Sequence, residues 1–421
     1  MDVLPRWAQQ LRDRHPDGEV PTRERPIPPW LEEEVRRTPL WYIIREAPAT
    51  RDHHPYLLLE EIHRQPDQWE DILASSGADI AGVADWMTSA DVRKVIFTGC
   101  GSAFFTAIHG AHTFPRIAGI EASAVEAFEL AHDFPGVDPA RTLVVGHSGT
   151  GGSIEAIQAM ELAAELGCRT LAISNTAASA IVRASEQSLV YETHQACGPC
   201  ISVVSTRILL VTLLALALAA GREGSSRGEM LSDSLKTVPD VGRALIDHDE
   251  AAIQDLARRF KGMSSFLLVG SGANYFSVRE GTLKVEEQAI LVAKAYRTGD
   301  FHHGALSLVA PERVVIAVEA AGEANPRVID AVRAAREAGS PTIAVTWSGM
   351  SGARQLAEAA DHVIELPGRL PEAVVPIPMT LVFQLLGYYL GVERGYNPDT
   401  LRTDHLPNAR AWLTAFPLGT H

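Results

Sequence analysis

Three side chains within two helical turns have the types and spacing to move a proton. Glu280, Lys284 and Glu287 stand in the run REGTLKVEE. At roughly 100° per residue they fall within about 60° of one another on a helix. Phe276, Leu283 and Ile290 lie close to the same stripe, so the charges are not on a clean solvated face. A half-buried carboxylate beside an ammonium suits proton transfer, because burial raises the carboxylate pKa and the cation restrains it. An i,i+4 ion pair with stray charges has the same spacing. His303, in the turn His302-His303-Gly304, adds an imidazole for acid–base work near neutral pH.

The elements that must position these groups are a strand and a turn. Residues 266–269 form a short apolar run, and Gly270-Ser271-Gly272 turns it into the helix pattern. A strand, a glycine turn and a helix N-terminus make an anion-binding corner, since free amides and the helix dipole point at the ligand. Similar corners occur earlier. Strand 94–97 leads into Gly99-Cys100-Gly101-Ser102, and strand 143–145 leads into the loop Gly146 to Ser153. Further strands fall at 170–174 and 188–191, and their alternation with helical segments predicts a layered parallel sheet. The pattern then repeats: Gly99 and Gly101 recur as Gly270 and Gly272, LAISNT as IAVTWS, and SLVYE as HVIEL. Residues 221–236, rich in Gly and Ser, read as a mobile linker between the two units. In open α/β sheets the ligand sits outside the carboxyl ends of the strands, where these loops collect.

At 421 residues the chain has room for two cores, and 46% hydrophobic with 21% charged residues describe an ordinary globular protein. A formal charge of −15 speaks against a general nucleic-acid or anionic-membrane surface. The N-terminus has no apolar run of signal-peptide type. The longest apolar stretch, 208–220, is too short to span a bilayer and reads as a buried helix. Four cysteines do not make an extracellular framework, so a cytoplasmic chain is expected. Residues 1–56 are rich in Pro, Arg and Glu and read as an irregular extension with one short helix at 31–37. Trp30, Trp41 and Tyr42 are its candidate anchors on the body or on a partner subunit.

FLLVGSGANYFSVREGTLKVEE followed by AKAYRTGDFHHGALSLV resembles the second sugar isomerase (SIS) domain of the isomerase half of glucosamine-6-phosphate synthase. Relatives include aminosugar-phosphate deaminases and isomerases and the deglycases of phosphorylated Amadori sugars. The resemblance spans roughly residues 57–405. It implies an α/β fold of two tandem flavodoxin-like SIS domains, each a parallel sheet with helices on both faces. The units expected are an extension (1–56), a first domain with its leading helix (57–235), a second domain (236–395) and a closing tail (396–421). It further implies that Glu287 moves the proton between C1 and C2, while Glu280 and Lys284 position it and the sugar hydroxyls. His303 is implied to open the ring from the other subunit of a homodimer with shared sites. Independently, aldose–ketose exchange needs one base within reach of both carbons and an acid–base group for the ring oxygen. The expected activity is therefore a cofactor-independent phosphosugar aldose–ketose isomerase acting through an enediol or enolamine. An aminosugar-phosphate deaminase or a fructosamine-6-phosphate deglycase shares that intermediate. A sugar-phosphate-binding regulator without turnover would need neither Glu287 nor His303.

Under the same resemblance, the first-half loops form a phosphosugar site. Ser148-Gly149 supplies backbone amides and a hydroxyl, enough for a phosphate without a metal, and Gly101, Ser102 and Ser153 add to it. Alone, such turns are plain strand–helix connections. The chain departs from the synthase pattern at Ala103, Gly146 and Gly151, where hydroxyl residues are usual; His147 before Ser148 looks like the deglycase branch. In ISVVSTR, Val203, Ser205 and Thr206 match the sugar-holding loop, Arg207 replaces the usual Lys, and Cys200 stands where a Glu is common. Cys197-Gly-Pro-Cys200 resembles the thioredoxin redox pair, but it lies deep in the repeat. His109 and His112 read as core histidines, and no metal is expected. In the tail, NPDTLRTDHLPN resembles the family's closing segment, with Thr403 in place of the Schiff-base lysine and Arg402 as a candidate substrate contact. That loss, and the lack of a preceding glutaminase segment, point away from ammonia-dependent synthesis.

Overall fold

Short apolar runs assemble into two five-stranded parallel sheets in the computed structural model, which describes residues 6–22, 24–47, 49–193, 195, 197–199, 201–220, 226–319, 325–350 and 352–416. The first sheet holds β1 (Lys94–Thr98), β2 (Glu121–Ala124), β3 (Thr142–Ser148), β4 (Arg169–Ser174) and β5 (Gln187–Val190) in the order β2-β1-β3-β4-β5. The second holds β6 (Ser265–Val269), β7 (Val292–Tyr296), β8 (Arg313–Val318), β9 (Thr342–Trp347) and β10 (His362–Leu366) in the order β7-β6-β8-β9-β10. The two orders are the same, as the internal repeat predicts. Central strands are buried throughout because helices cover both faces: every residue of β3 and of β9 is buried. Thr98 pairs with Gly146 and Val269 with Ala317. The turns after β1 and β3 therefore emerge side by side where the strand order reverses, and so do those after β6 and β8. That is the crevice such sheets offer to a ligand.

One apolar cluster runs from Leu58 through Phe97, Leu210 and Phe266 to Leu390 and joins the halves. Its spine is the helix Ser202–Ala220, which packs on the helices Leu57–Ser75, Ser102–Ile117 and Pro376–Glu393. This helix starts six residues before the apolar stretch seen in the sequence, and at 19 residues it is long enough to cross a membrane. It is nonetheless buried among protein, as expected of a core helix.

The expected mobile linker, 221–236, differs in the structure from Ser226 onward; residues 221–225 lie outside the described residues. Ser226–Phe260 is one helix of 35 residues, so the boundary drawn between 235 and 236 falls inside it. Leu231, Leu235, Val238, Leu245, Ile253, Leu256 and Phe260 give it a buried stripe at helical spacing. Gly242 lets it approach Trp69: a Cβ there would stand 2.6 Å from the indole. Packing overrides the Gly/Ser signal at its start.

The N-terminal extension carries three helices, Arg6–Asp13, Pro29–Arg37 and Leu40–Ile44, where the sequence suggested one. Trp7, Leu11, Trp30, Leu31 and Leu40 form a cluster with Ala409 and Leu413 of the last helix, Leu406–Ala415. Trp30, Trp41 and Tyr42 are all buried, as expected of anchors. Tyr42 donates to Asp399 Oδ2 (2.8 Å), and Asp399 also accepts from the amides of Leu57 (3.0 Å) and Leu58 (2.8 Å). The tail thereby caps the leading helix Leu57–Ser75, where a carboxylate is favoured.

Candidate active site

Two helices in close contact build the carboxylate–lysine group. Asn274–Ala289 lies against Pro376–Glu393, and glycines at the crossing allow the approach. A Cβ on Gly281 would meet the Phe383 ring at 2.7 Å, and one on Gly387 would meet the Lys284 carbonyl oxygen at 2.8 Å. This contact buries Glu280 and Lys284 completely. Lys284 Nζ stands 3.2 Å from Glu280 Oε1 and 2.7 Å from Glu287 Oε2. Glu287 alone keeps some exposure, 23% of its side chain. The group is thus more deeply set than the half-buried arrangement expected. Burial raises the Glu287 pKa and the Glu280 charge adds to that, while the Lys284 ammonium opposes both. A carboxylate that binds a proton more tightly than usual, fixed by an ammonium and open on one side, has the properties of a general base.

The first half reaches this group through Ser102. Its hydroxyl donates to Glu280 Oε1 (3.1 Å), and Gly101, at φ +54°, faces Leu283. The other oxygen of Glu280 is buried without a partner. At the end of β3, Ser148 Oγ accepts from the Gly151 amide (3.0 Å) and lies 3.2 Å from Ser153 Oγ in the loop that follows. The absent hydroxyls have a packing reason. A Cβ on Gly146 would stand 2.6 Å from Met160 Sδ, and Gly151, at φ +68°, presses on Ser179. Val203 packs against Gly149, and Thr206 is buried with its hydroxyl unpartnered. Two expected loop residues face the core instead. His147 lies inside β3, stacked on Phe97 at 5.9 Å, with both ring nitrogens unpartnered. Burial, then the nearby Arg207 charge, hold its pKa well below the usual value, so the ring is neutral. Ser205 donates to Gln65 (2.7 Å) and accepts from the Trp69 indole (2.9 Å), tying the spine helix to the leading helix.

The corner at Gly270–Gly272, expected to receive a ligand anion, holds an internal one. Glu372 Oε1 accepts from the Ala273 amide (3.1 Å) and stands where a side chain on Gly272 would go. His112 Nε2 is 3.7 Å from the same oxygen. Glu319, just after β8, turns its carboxylate onto the Thr346 hydroxyl and the Trp347 amide (3.2 Å). Neither carboxylate carries a motif signal, since each acts through partners distant in sequence.

His303 is exposed, and among the described residues it makes no hydrogen bond or ion pair with the Glu280–Glu287 group of its own chain. Its neighbour His302 accepts from Arg327 (2.7 Å). Arg402, in a left-handed backbone conformation (φ +60°), lies over the Tyr396 ring at 5.7 Å. Thr403 is buried and donates to the Thr400 carbonyl oxygen (2.7 Å). Cys197 is a free, buried thiol whose amide donates to Glu61 (3.1 Å). Burial and the Glu61 charge push its pKa well up, the reverse of what thiolate chemistry needs. Cys200 lies outside the described residues. His109 shares a hydrogen bond with Thr212 (3.1 Å), and burial lowers its pKa to about 3. No cluster of metal-ligating side chains occurs among the described residues.

The SIS domain family profile matches residues 90–220 and 262–393. The chain is 29% identical over 361 residues to the isomerizing glutamine–fructose-6-phosphate aminotransferase of Thermococcus kodakarensis, covering 84% of this chain and 58% of that one. It thus spans just over half the length of the curated relatives it matches. Among solved structures, the C-terminal domain of glucosamine-fructose-6-phosphate aminotransferase from Francisella tularensis superposes with a TM-score of 0.75 at 19% identity, covering 84% of this chain and all of that one. Tagatose-6-phosphate ketose/aldose isomerase from Escherichia coli gives 0.68 at 23% identity, covering 82% and 94%. At these identities the superpositions speak for the fold.

Proposed function

Because the chain belongs to the SIS domain family, we propose that it is a cofactor-independent phosphosugar aldose–ketose isomerase. The observation that carries this is the buried Lys284, bridging Glu280 and Glu287 at the point where Ser102 of the first half arrives. Glu287, the one partly exposed carboxylate of the group, takes the proton from C2 of the aldose and returns it to C1, or the reverse. A single base suffices because the two carbons are adjacent and the enediol between them is planar. Lys284 keeps the carboxylate aimed and limits the rise in its pKa. The loops at Gly101 and Ser102, at Ser148, Gly149 and Ser153, and at Val203 and Thr206 hold the phosphate end of the sugar, and Arg402 borders the site. His303 is exposed and, among the described residues, makes no hydrogen bond or ion pair with Glu287 of its own chain. It serves the site of a second copy, where it opens the sugar ring, so the working unit is a homodimer with shared sites. Release of an amine from an aminosugar phosphate runs through the same kind of intermediate.

The test is a screen of aldose, ketose and amino-sugar phosphates in deuterated water, read as deuterium incorporation at C2. Incorporation with one or more of them, absent in Glu287→Gln, is the expected result. No incorporation with any of them by a folded, dimeric protein would overturn the isomerase reading.

A further inference from the structure

Arg207 is a buried cation without a counterion among the described residues. It sits on the spine helix Ser202–Ala220 and is 2% exposed. Among the described residues it makes no hydrogen bond or ion pair, and its Nε is buried without a partner. A guanidinium does not shed its proton in a protein. The usual escape of a buried ionisable group, becoming neutral, is closed to it. Nor do its neighbours share the charge: His147 beside it is neutral, with both ring nitrogens unpartnered. A permanent buried charge of this kind is strongly unfavourable unless an opposite charge joins it.

The guanidinium points at the loop after β3. Its Nη1 is 4.0 Å from the position a Cβ on Gly149 would occupy, so the bare backbone there leaves a way to the loop. The same loop opens the twelve-residue helix Ile154–Glu165, whose N-cap residue Ser153 makes no side-chain cap. Amides at that end are left for a ligand, and the helix dipole favours a negative one. The loop's hydroxyls are poorly placed to do the work alone. Ser148 is engaged with the Gly151 amide, and Gly146 and Gly151 have no room for a side chain.

We propose that Arg207 is the countercharge for the phosphate group of the substrate, binding it from beneath the Gly149 loop. The proposal rests on the phosphosugar reading for the identity of the ligand. A planar fork of donors matches a phosphate dianion, with the helix amides on its other side. The charge thus supplies the grip that a hydroxyl-poor loop lacks. Binding also relieves the unpaired cation, so ligand and fold stabilise each other.

The experiment uses inorganic phosphate as probe, with acetate at matched ionic strength for comparison. Binding is read by calorimetry and by thermal unfolding, on the wild type, Arg207→Met and Arg207→Lys, with Arg207→Gln in reserve if the Met variant does not fold. Phosphate is expected to bind the wild type and raise its Tm. Arg207→Met is expected to unfold at the same or a higher temperature than wild type without phosphate, because it removes an unpaired buried charge. Its phosphate affinity should fall at least about tenfold, while Arg207→Lys keeps part of it. Absence of phosphate binding to the wild type, or undiminished binding by a folded Met or Gln variant, would overturn the proposal. So would a lower Tm of those variants without phosphate, which would reveal an internal partner, or protection by acetate in preference to phosphate. Turnover enters none of these readouts. Phosphate binding through Arg207 in a protein that exchanges no sugar proton would sink the isomerase reading and leave this one standing.

Discussion

The two halves share one strand order and differ in what fills their crevices. In the second half, carboxylates of the chain itself occupy the turns: Glu372 sits on the Ala273 amide, and Glu319 binds Thr346 and Trp347. In the first half the corresponding place at the end of β3 carries Ser148, and Arg207, a cation without a partner among the described residues, lies beside the following Gly149. One crevice carries carboxylates of the chain itself, and the other carries a buried cation with no anion beside it among the described residues. The second half contributes instead the helix bearing Glu280, Lys284 and Glu287, and Ser102 of the first half touches it. The repeat supplies two equivalent scaffolds, and side-chain charge makes their crevices different.

The largest expected effect breaks the chemistry in the second half alone. Glu287→Gln should lower C2 exchange by at least about a hundredfold, the scale of a lost general base, with substrate affinity kept within about tenfold. Exchange at the wild-type rate would remove Glu287 from the mechanism. Lys284→Met leaves Glu280 buried without its cation, with one of its oxygens already unpartnered, and breaking a buried pair costs about 3–5 kcal/mol. A large fall in unfolding free energy in urea is expected; an unchanged midpoint would mean that the cation does not hold the group together.

Mixing tests whether the halves of different copies cooperate. Glu287→Gln and His303→Ala protomers, each inactive, should recover roughly a quarter of wild-type activity after random exchange, because half the dimers are mixed and each mixed dimer has one intact site. No recovery after verified exchange would place His303 outside the shared site. The pH profile sharpens the role of Glu287. Its folded pKa is raised, so its base form is lost at a higher pH than for an ordinary carboxylate as pH falls. The acid limb of kcat/KM should therefore lie above the ordinary value of 4.5. A limb at or below that value would contradict the assignment. The smallest effect is expected at the filled corner. Glu372→Ala removes a helix cap and should cost about 1 kcal/mol, with phosphate binding by the first half changed less than about twofold. A larger change in phosphate binding would mean that the crevices are coupled.

Seven of the ten strands and the repeat were legible because apolar runs and glycine turns are local signals; β2, β7 and β8 were not read. Glu280, Lys284 and Glu287 were legible for the same reason, since helical spacing brings them together whatever surrounds the helix. Residues 226–236 were misread as a linker: their glycine and serine content signals mobility, but Leu231 and Leu235 pack into a core contributed by distant helices. His147 and Ser205 matched a loop motif, yet strand register and the contacts of Gln65 and Trp69 turned them inward.

The sequence by itself determined two α/β units, a carboxylate–lysine group at helical spacing and a set of glycine corners. Only the tertiary structure decided which corners stay open to a ligand. Whether a turn is empty depends on where a carboxylate about a hundred residues away comes to rest, as Glu372 does on the Ala273 amide (|i−j| of 99). Whether a cation is free depends on every group packed round it, and that is a property of the folded interior which no local pattern encodes.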